Sequence, residues 1–454
     1  MIENARMLQN LLTKSGYLTL AAGGFVRDHL LGREPKDIDL ATEALPEQVR
    51  DILIANNIRV EDTGLKHGTV SAIIDKIPYE ITTLRVDKKC NGREADVVFI
   101  KSFEEDAKRR DFTVNAMFMD LETGKILDYV NGQEDLRKEI LRFVRNPVDR
   151  ITEDYLRILR LFRFASQLGF QIDPDAARYA TQYLPYMTTY ISTERIYTEM
   201  SKLIVGKGVF YILNTYKDLV FHVFPEMYLT VGFKQNNPYH IYDVYEHTLH
   251  GLNFLKKFND PTLSFAHLFH DVAKPLCHTT KWNEENKCVD HFYDHEYHGA
   301  KVTQRICHRL KFSSEDTKKI YFLVANHRRL TCASSNKAMR KLIQECAEAG
   351  SKNWIWDLYK ILEADKAGQA PSDFDLRLVG AHIKECLESF EKTKIESPMS
   401  GSIIKDIFKI KDGPNIGKIK DYLVAQVIEG SLDPKNAKEV WSFTLEFILV
   451  NNLS

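Results

Sequence analysis

A short apolar run that ends in two glycines and leads to a pair of aspartates constrains the fold of this chain more than any other stretch. The run Leu18–Ala22 is predicted to be a strand that stops at Gly23 and Gly24. A helical spacing of apolar residues follows, and Asp37 and Asp39 then alternate with apolar residues. Because side chains two residues apart share one face of a strand, the pattern predicts both carboxylates on the same face.

Paired carboxylates next to a glycine turn favour a metal-dependent nucleotide site. Two neighbouring carboxylates repel each other, and a divalent cation relieves that repulsion. Mg²⁺ is commonly held by one or two carboxylates and completed by substrate phosphates, to which the Gly23-Gly24 turn offers backbone N–H groups. A D-x-D pair by itself is more typical of a solvent-facing strand edge. The glycine turn and the Arg27-Asp28 pair upstream are what favour the site.

Length and composition indicate a globular chain of several domains. The 454 residues are enough for about two to four domains, and 44% are hydrophobic and 28% charged. No run of eighteen apolar residues predicts a membrane span, and seven cysteines without C-x-x-C spacing argue against a disulfide framework. We therefore predict a cytoplasmic protein with no membrane partner. The net charge of −1 is uninformative, because local basic clusters decide nucleic-acid binding.

Two further segments of the first half carry polar side chains at informative positions. Residues 79–85 are predicted to be a strand with Glu80 and Thr82 on one face, and residues 86–96 are predicted to be a mobile loop. Residues 109–116, Arg-Arg-Asp-Phe-Thr-Val-Asn-Ala, concentrate charge just before a predicted apolar helix.

These motifs together resemble a known family. The stretch G-G-x-x-R-D-x-x-L-G-R-x-x-x-D-x-D-L and the octet R-R-D-F-T-x-N-A are similar to those of the class II nucleotidyltransferases of the polymerase-beta superfamily. That group comprises the CCA-adding tRNA nucleotidyltransferases and the bacterial poly(A) polymerases. The resemblance implies an α+β fold, with an N-terminal polymerase-beta-like nucleotidyltransferase head of mixed sheet plus helices.

The resemblance also implies roles for the motif residues. Asp37 and Asp39 would hold two Mg²⁺ ions, and Glu80 would add a third carboxylate, although a satisfied edge glutamate is equally typical. The remaining nucleotide-binding residues of the head would shape the pocket for the triphosphate and ribose: Gly23, Gly24, Arg27, Asp28, Arg110, Asp111 and Asn115.

A template for the incoming base is implied by residues 153–165. The periodicity predicts one helix there, with Asp154, Arg157 and Arg160 along one side, and plain helix salt bridges would explain such a pattern. The E-D-x-x-R motif resembles the family's protein template, in which Asp154 and Arg157 would hydrogen-bond the base edge of CTP or ATP, both of which offer an amine beside a ring acceptor. Arg163 would support the template or the triphosphate, and residues 193–199 would orient the template.

A second constellation lies in the histidine-rich part of the chain, because most of the 15 histidines fall between residues 240 and 327. The His270-Asp271 doublet, preceded and followed by further histidines and aspartates, resembles the HD phosphohydrolase domain. The implied ligands of a divalent transition metal are His247, His270, Asp271 and Asp365, with His295 and His327 as the additional ligands of two-metal forms. Such a site would hydrolyse phosphate esters with metal-bound water.

Four segments follow from these assignments. We predict a nucleotidyltransferase head at 1–140, an all-helical neck with the template motif at 141–220, an HD-type helical body at 221–370, and a helical tail at 371–454 that binds RNA.

The predicted reaction is template-independent addition of CCA to the 3′ end of tRNA from CTP and ATP by two-metal nucleotidyl transfer. Within the same class, CC-only or A-only addition (set by the loop 86–96) and poly(A) synthesis remain open. From another class, the alternatives are a phosphohydrolase whose head merely binds nucleotide, or a non-catalytic RNA-binding protein.

Overall fold

The chain forms two compact units in the computed structural model, Met1–Pro225 and Glu226–Ser454. The structure describes residues 1–64, 68–90, 95–236, 241–282, 288–371, 374–392, 397–410, 413–429, 431–451 and 453. Within these described residues, no helix combines the length and apolar character needed to cross a membrane.

The first unit begins with a mixed sheet and its covering helices. In chain order the elements are α1 (Ile2–Lys14), β1 (Thr19–Ala22), α2 (Gly24–Leu30), β2 (Asp39–Thr42), α3 (Pro46–Ala55), β3 (Arg59–Gly64), β4 (Thr69–Ile74), β5 (Ile77–Thr83), β6 (Arg85–Cys90), β7 (Ala95–Phe99), α4 (Phe103–Arg109), β8 (Met117–Met119) and β9 (Ile126–Asp128). Seven strands form one sheet in the order β3-β4-β5-β2-β1-β8-β9, in which β2 and β5 run parallel and the other pairs antiparallel. This confirms the predicted mixed-sheet head.

Burial explains why the sheet forms around β1. All four residues of β1 are buried, as expected for a central strand covered on both faces. The amphipathic helix α1 packs on β1 and buries Ala5, Leu8 and Leu12. A cluster around Leu20, Phe103 and Phe118 fills the interior next to α4.

The rest of the first unit is helical apart from one short ladder. Its elements are α5 (Gly132–Arg137), β10 (Ile140–Leu141), α6 (Pro147–Glu153), α7 (Leu156–Leu168), β11 (Gln171–Ile172), α8 (Pro174–Tyr183), α9 (Met187–Tyr190), α10 (Thr193–Leu203), α11 (Val209–Thr215) and α12 (Lys217–Val223). Strands β10 and β11 pair in parallel.

The second unit consists of helices and one antiparallel ribbon. Its elements are α13 (Val244–Leu255), α14 (Pro261–Phe269), β12 (His278–Trp282), β13 (Cys288–Phe292), α15 (His295–Arg309), α16 (Ser314–Asn326), α17 (Arg329–Cys332), α18 (Asn336–Ala349), α19 (Trp354–Ala367), α20 (Leu376–Lys392), α21 (Gly401–Phe408), α22 (Pro414–Ile428) and α23 (Ala437–Val450). The ribbon is β12 with β13.

Four local predictions differ from the structure, and two of them concern strands. Asp37 precedes β2 instead of lying in it, because the ladder ends where Asp39 pairs with Ala22, the last residue of β1. The predicted loop 86–96 instead contributes to an antiparallel ribbon of β6 and β7, in which Val86 faces Val98. Residues 91–94 of that segment lie outside the described residues.

The other two differences concern helices. The helix predicted over 153–165 begins only at Leu156, because Asp154 has an extended backbone (φ −150°, ψ 106°) that separates α6 from α7. The octet 109–116 leads into strand β8, not into a helix. All three residues of β8 are buried, and periodicity does not distinguish a buried strand from a buried helix over so short an apolar run.

Candidate functional site

Three predicted carboxylates, those of Asp37, Asp39 and Glu80, lie close enough to interact. Asp39 pairs with Ala22, the residue directly before the glycine turn. Because Leu40 pairs with Ile81 in the parallel ladder of β2 and β5, Asp39 and Glu80 stand side by side on neighbouring strands. Burial, followed by the negative charges of Asp37 and Glu80, raises the pKa of Asp39 from 3.8 to about 6, against the opposing charge of Arg110. The carboxylates therefore interact as a group, and their mutual repulsion is what a divalent cation would relieve.

The glycine turn brings backbone close to an arginine. Gly23 has a φ of +67° and precedes the first residue of α2. A Cβ at Gly23 would lie 3.0 Å from a guanidinium nitrogen of Arg110. The positive φ favours glycine here, and the missing side chain leaves room for this approach.

A buried aspartate that the sequence analysis did not single out holds two arginines. Asp106 is 1% exposed and forms ion pairs with Arg109 at 2.7 Å and Arg110 at 3.1 Å. Burial would raise the pKa of Asp106, but the charges of Arg110 and Arg109 outweigh it and lower the pKa. The available signal was the spacing, because an acid on α4 precedes two arginines by three and four residues.

Two residues of the octet, Asp111 and Asn115, form hydrogen bonds with arginines from other elements. Arg27 donates to Asn115 Oδ1 at 2.6 Å and pairs with Asp28 at 2.8 Å. Asp111 accepts from Arg160 Nε at 2.9 Å. Burial would raise the pKa of Asp111, but the Arg160 guanidinium outweighs it and lowers the pKa.

The implied template residues have partners other than those expected from one helix. Asp154 accepts from the backbone N–H of Leu156 at 3.0 Å and from the guanidinium of Arg195 at 3.2 Å. Arg157 donates to Glu153 at 2.6 Å. The Asp154–Arg195 pair joins the start of α7 to α10, as expected if the segment 193–199 orients Asp154.

These side chains surround one cavity of about 470 Å³, a size typical of small-molecule sites. Its lining comprises Ala22, Gly23, Gly24, Arg27, Asp39, Leu40, Thr69, Glu80, Thr82, Arg85, Arg109, Arg110, Asp111, Asn115, Asp154, Leu156, Arg157, Arg160, Phe164 and Arg195. Carboxylates and arginines thus face the same space, which suits a phosphate-bearing ligand with a divalent cation.

Three predicted site residues are not among the described residues that line the cavity: Asp28, Asp37 and Arg163. Arg163 instead forms an ion pair with Glu199 at 2.5 Å and lies over the ring of Phe164 at 3.8 Å. Burial lowers the pKa of Arg163, and the Glu199 carboxylate opposes that effect. The side chain therefore links α7 to α10 and does not reach the cavity.

In the second unit, four predicted ligands converge from three helices. His247 lies on α13, His270 and Asp271 lie at the end of α14, and Asp365 lies on α19. His247 Nε2 is 2.9 Å from Asp365 Oδ1, and His270 Nε2 is 3.1 Å from Asp271 Oδ2. The ligand atoms of the four residues lie within 4.8 Å of one another.

Two more histidines join the same aspartate from its other side. His295 Nε2 and His327 Nε2 lie 3.3 Å and 3.8 Å from Asp271 Oδ1. These three side chains form a second group that could hold a cation, so that Asp271 is shared between both groups. We call the six residues the histidine cluster: His247, His270, Asp271, His295, His327 and Asp365.

Backbone carbonyls orient every imidazole of the histidine cluster. The Nδ1 atoms of His247, His270, His295 and His327 lie 2.6 to 2.9 Å from the carbonyl oxygens of Gly368, His267, Phe292 and Val324, respectively. A carbonyl accepts only from a protonated Nδ1, so each ring presents Nε2 to the centre. This is the arrangement typical of metal-ligating histidines.

The charge balance of the cluster fits a bound cation. Burial would lower the pKa of His270, but Asp271 and Asp365 outweigh it and raise the pKa to about 10. Burial would raise the pKa of both carboxyls. The charges of His270 and Lys274 hold the pKa of Asp271 well below its usual range, and hydrogen bonds from His247 and His270 do the same for Asp365. A proton on His270 Nε2 thus supplies the positive charge that a metal ion would supply.

Lys274 is a further polar group that the sequence analysis did not single out. It is 6% exposed, lies 2.6 Å from Asp271 and donates to Gln235 at 2.7 Å. With Arg328 and Lys366 it lines a cavity of about 420 Å³ that opens onto the histidine cluster. Three cations beside a cation site suit an anionic ligand.

Two family models match segments of the chain. Residues 19–142 match the family model described as poly A polymerase head domain, and residues 244–348 match the HD domain. The two matches together leave residues 1–18, 143–243 and 349–454 outside both family models. The segment that matches the head model contains the carboxylates of β2 and β5. The segment that matches the HD model contains five of the six members of the histidine cluster, and Asp365 follows it.

Curated relatives match about half of the chain. The chain is 40% identical over 221 residues to human CCA tRNA nucleotidyltransferase 1, mitochondrial (48% of this chain, 50% of the relative), and 40% identical over 199 residues to the CCA-adding enzyme of Bacillus licheniformis (43% and 49%). The chain thus spans about half the length of the curated relatives it matches.

Among solved structures, the CCA-adding enzyme of Bacillus stearothermophilus in complex with CTP superposes with a TM-score of 0.71 at 25% identity, covering 99% of this chain and 98% of that chain. The Thermotoga maritima CCA-adding enzyme complexed with tRNA shares the fold, with a TM-score of 0.60 at 19% identity over 98% and 94% of the two chains.

Proposed function

We propose that this protein adds C, C and A to the 3′ end of tRNA, with CTP and ATP as substrates. The observation that carries the proposal is the cavity in which Asp39 and Glu80 face the arginines of the octet and the Asp154–Arg195 pair. Sequence similarity to CCA-adding enzymes and the likeness to the CTP-bound enzyme support the same reaction.

The carboxylates are assigned to metal binding. Asp37 and Asp39, with Glu80 as a third carboxylate, would hold two Mg²⁺ ions. Burial, followed by the charges of Asp37 and Glu80, raises the pKa of Asp39, and a bound cation would offset the repulsion between these carboxylates. When bound, the ions supply activation of the 3′-hydroxyl and stabilisation of the pyrophosphate leaving group. Oxygen ligands from carboxylates are those that Mg²⁺ prefers.

The arginines and the glycine turn are assigned to the triphosphate. Arg110 reaches the turn at Gly23, so its guanidinium and the backbone N–H groups of the turn would contact the same phosphate group. Arg27 and Asn115 form the neighbouring wall, where the ribose and phosphates would be hydrogen-bonded. Asp111 acts through Arg160, which it orients.

Asp154 and Arg157 are assigned to base selection. A carboxylate accepts from the exocyclic amine shared by cytosine and adenine, and a guanidinium donates to the adjacent ring acceptor. Arg195 holds the Asp154 carboxylate in place from α10. Arg163, which does not line the cavity, supports this arrangement by joining α7 to α10.

Extension of defined transcripts tests the proposal. Three tRNA transcripts, ending at the discriminator base, at CC and at CCA, are incubated with each NTP alone and with CTP plus ATP. We expect growth to CCA followed by a stop. A stop after CC, or action only on the CC-ended transcript, would indicate the divided activities, and long A tails would indicate a poly(A) polymerase. No extension at all would refute nucleotide addition.

As a second function, we propose metal-dependent hydrolysis of phosphate esters at the histidine cluster. The support is the common orientation of four imidazoles around two buried carboxylates, with Lys274, Arg328 and Lys366 beside them. Metal-bound water would be the nucleophile that a divalent transition metal supplies there. Assays with p-nitrophenyl phosphate and bis-p-nitrophenyl phosphate in the presence of Ni²⁺, Co²⁺ or Mn²⁺ test it, and no release of nitrophenol with any of these metals would refute it.

The predicted four-part division, the binding of RNA by the tail and the cytoplasmic location stay predictions. In the tail, α22 begins at Pro414.

A further inference from the structure

The rings of four tyrosines of the first unit contact one another beside the proposed template. The rings of Tyr155 and Tyr190 lie 4.5 Å apart with an interplanar angle of 15°, and those of Tyr155 and Tyr186 lie 5.8 Å apart at 25°. Tyr183 lies 5.7 Å from Tyr186 and 6.3 Å from Tyr155. We call these four residues the tyrosine platform.

The outer rings of the platform are open to solvent. Tyr186 is 47% exposed and Tyr190 is 42% exposed. Large aromatic side chains that remain exposed as a group are typical of binding surfaces, because packing alone would favour burying them.

The tyrosine platform adjoins residues that line the nucleotide cavity. Tyr155 directly follows Asp154, and Tyr190 precedes by three residues the helix α10, which carries Arg195. Asp154 and Arg195 are joined at 3.2 Å and both line the cavity, whereas none of the four tyrosines is among the described residues lining it. A single nucleotide that fills the cavity would therefore leave the platform to another part of the substrate.

We propose that the tyrosine platform stacks the unpaired bases at the 3′ end of the RNA that receives the nucleotide. This rests on the proposed function and names the part of the RNA that the neck contacts. Stacking on aromatic rings tolerates any base, because every base has a π-face. An enzyme that extends its substrate by C, C and A meets a different end at each step, so a tolerant contact is the kind that the reaction needs.

The charge around the platform fits RNA better than an apolar partner. Arg157 and Arg195 line the cavity together with Asp154, the residue directly before Tyr155. Guanidinium groups next to aromatic rings are typical of sites for single-stranded nucleic acid, where cations contact the backbone and rings stack on bases.

The test uses the full chain and an RNA hairpin that mimics the acceptor stem, with one unpaired 3′-terminal 2-aminopurine. We expect the wild type to quench the fluorophore. Tyr190→Ala should lose most of the quenching and weaken binding of this RNA about tenfold, and Tyr190→Phe should stay within about twofold of the wild type. Binding of a blunt-ended hairpin and of CTP should change less than about twofold in both variants.

Tyr211→Ala is the matched control, because Tyr211 is 43% exposed and also contacts a tyrosine ring, that of Tyr216 directly after α11. Equal losses in Tyr190→Ala and Tyr211→Ala, or a Phe variant as weak as the Ala variant, would overturn the proposal. So would a loss of CTP affinity without loss of RNA affinity, which would assign the platform to the incoming base. The RNA-binding comparison decides this even if the wild type adds no nucleotide, and that result would refute only the proposed function.

Discussion

At Asp39, burial and two neighbouring carboxylates make the charged form unfavourable in the folded, metal-free protein. The pKa is raised from 3.8 to about 6. A carboxyl whose pKa is higher in the folded state destabilises the fold above that pKa, and this cost disappears as the pH falls from about 6 toward 4. Removing the charge should therefore stabilise the metal-free protein at neutral pH.

We predict that Asp39→Asn raises the Tm of the metal-free protein at pH 7.5, and that the difference from the wild type shrinks between pH 6 and pH 4. Differential scanning fluorimetry in EDTA across this range measures it. Adding Mg²⁺ should raise the Tm of the wild type more than that of the variant, because binding to the folded state stabilises it. Asp51→Asn, at an exposed position of α3, is the control. If Asp39→Asn were less stable than the wild type at pH 7.5, the prediction would be contradicted.

The same substitution should nearly abolish nucleotide addition while leaving RNA binding intact. Loss of a carboxylate that holds the metal removes several kcal/mol of transition-state stabilisation, so we expect kcat to fall by about 1,000-fold or more. Single-turnover extension of the transcript ending at the discriminator base measures the rate, and a filter-binding assay measures the affinity for RNA. Retained turnover would refute the metal-binding role of Asp39.

Asp106 shows how a buried residue outside the cavity can control side chains inside it. We predict that Asp106→Asn raises the KM for CTP and ATP, because Arg109 and Arg110 lose the carboxylate that orients them. It should also lower the stability by about 3 kcal/mol, the lower end of the range for breaking a buried ion pair. Steady-state kinetics and urea unfolding measure the two effects.

Asp175→Asn is the matched control for Asp106. Asp175 also pairs with an arginine three residues on, but the side chains of Asp175 and Arg178 are 68% and 64% exposed. Exposed pairs contribute less than about 1 kcal/mol. If the two variants had equal KM values and stabilities, Asp106 would not orient the arginines.

At the scale of elements, the histidine cluster depends on how closely α13 approaches its neighbours. A Cβ at Gly251 on α13 would lie 1.9 Å from His267 Nε2 and 2.9 Å from the carbonyl oxygen of Ala364 on α19. His267 stacks on His270, and α13 and α19 carry His247 and Asp365. The absence of a side chain at one position therefore sets the distance between ligands on three helices.

We predict that Gly251→Ala weakens metal binding by the histidine cluster about tenfold or more, although Gly251 is not a ligand, because small shifts of supporting groups have effects of that size. Metal content after dialysis against a chelator series and the metal-induced rise in Tm measure it. Gly417→Ala on α22 is the control, since a Cβ there meets no atom within 4 Å, and it should be neutral or stabilising by up to about 1 kcal/mol. Unchanged metal affinity in Gly251→Ala would contradict the prediction.

At the scale of the whole molecule, each compact unit contains its own carboxylate-based site. Asp39 and Glu80 belong to Met1–Pro225, and the histidine cluster belongs to Glu226–Ser454. We predict that Asp271→Ala abolishes phosphate-ester hydrolysis and metal binding in the second unit without changing nucleotide addition, and that Asp39→Asn has the reverse effect. Parallel assays of both activities on both variants test this; equal loss of addition in the two variants would show that the sites are not independent.

Local sequence patterns were sufficient for the elements that carry the key side chains. The strand before Gly23, the acidic residue on β2 and the His270-Asp271 doublet at a helix end follow from apolar periodicity and turn residues within about twenty positions. The boundaries of the strands and helices were less predictable. The chain between β5 and α4 contains an additional ribbon, and α7 begins two residues after Asp154. Short apolar runs do not distinguish strand from helix, and a helix boundary depends on which groups satisfy its first N–H donors.

The partnerships of the polar residues are a property of the tertiary structure. Asp154 pairs with Arg195, 41 positions away, and His247 with Asp365, 118 positions away, because the packing of buried helix faces brings their ends together. The same packing takes Arg163 away from the cavity to Glu199 and gives Asp106 two arginines. The periodicity of the sequence indicates which face of an element a side chain occupies. Its partner across that face is decided only when distant elements pack. Burying an unpaired charge is costly, and this cost selects the arrangement in which each buried charge lies beside an opposite charge.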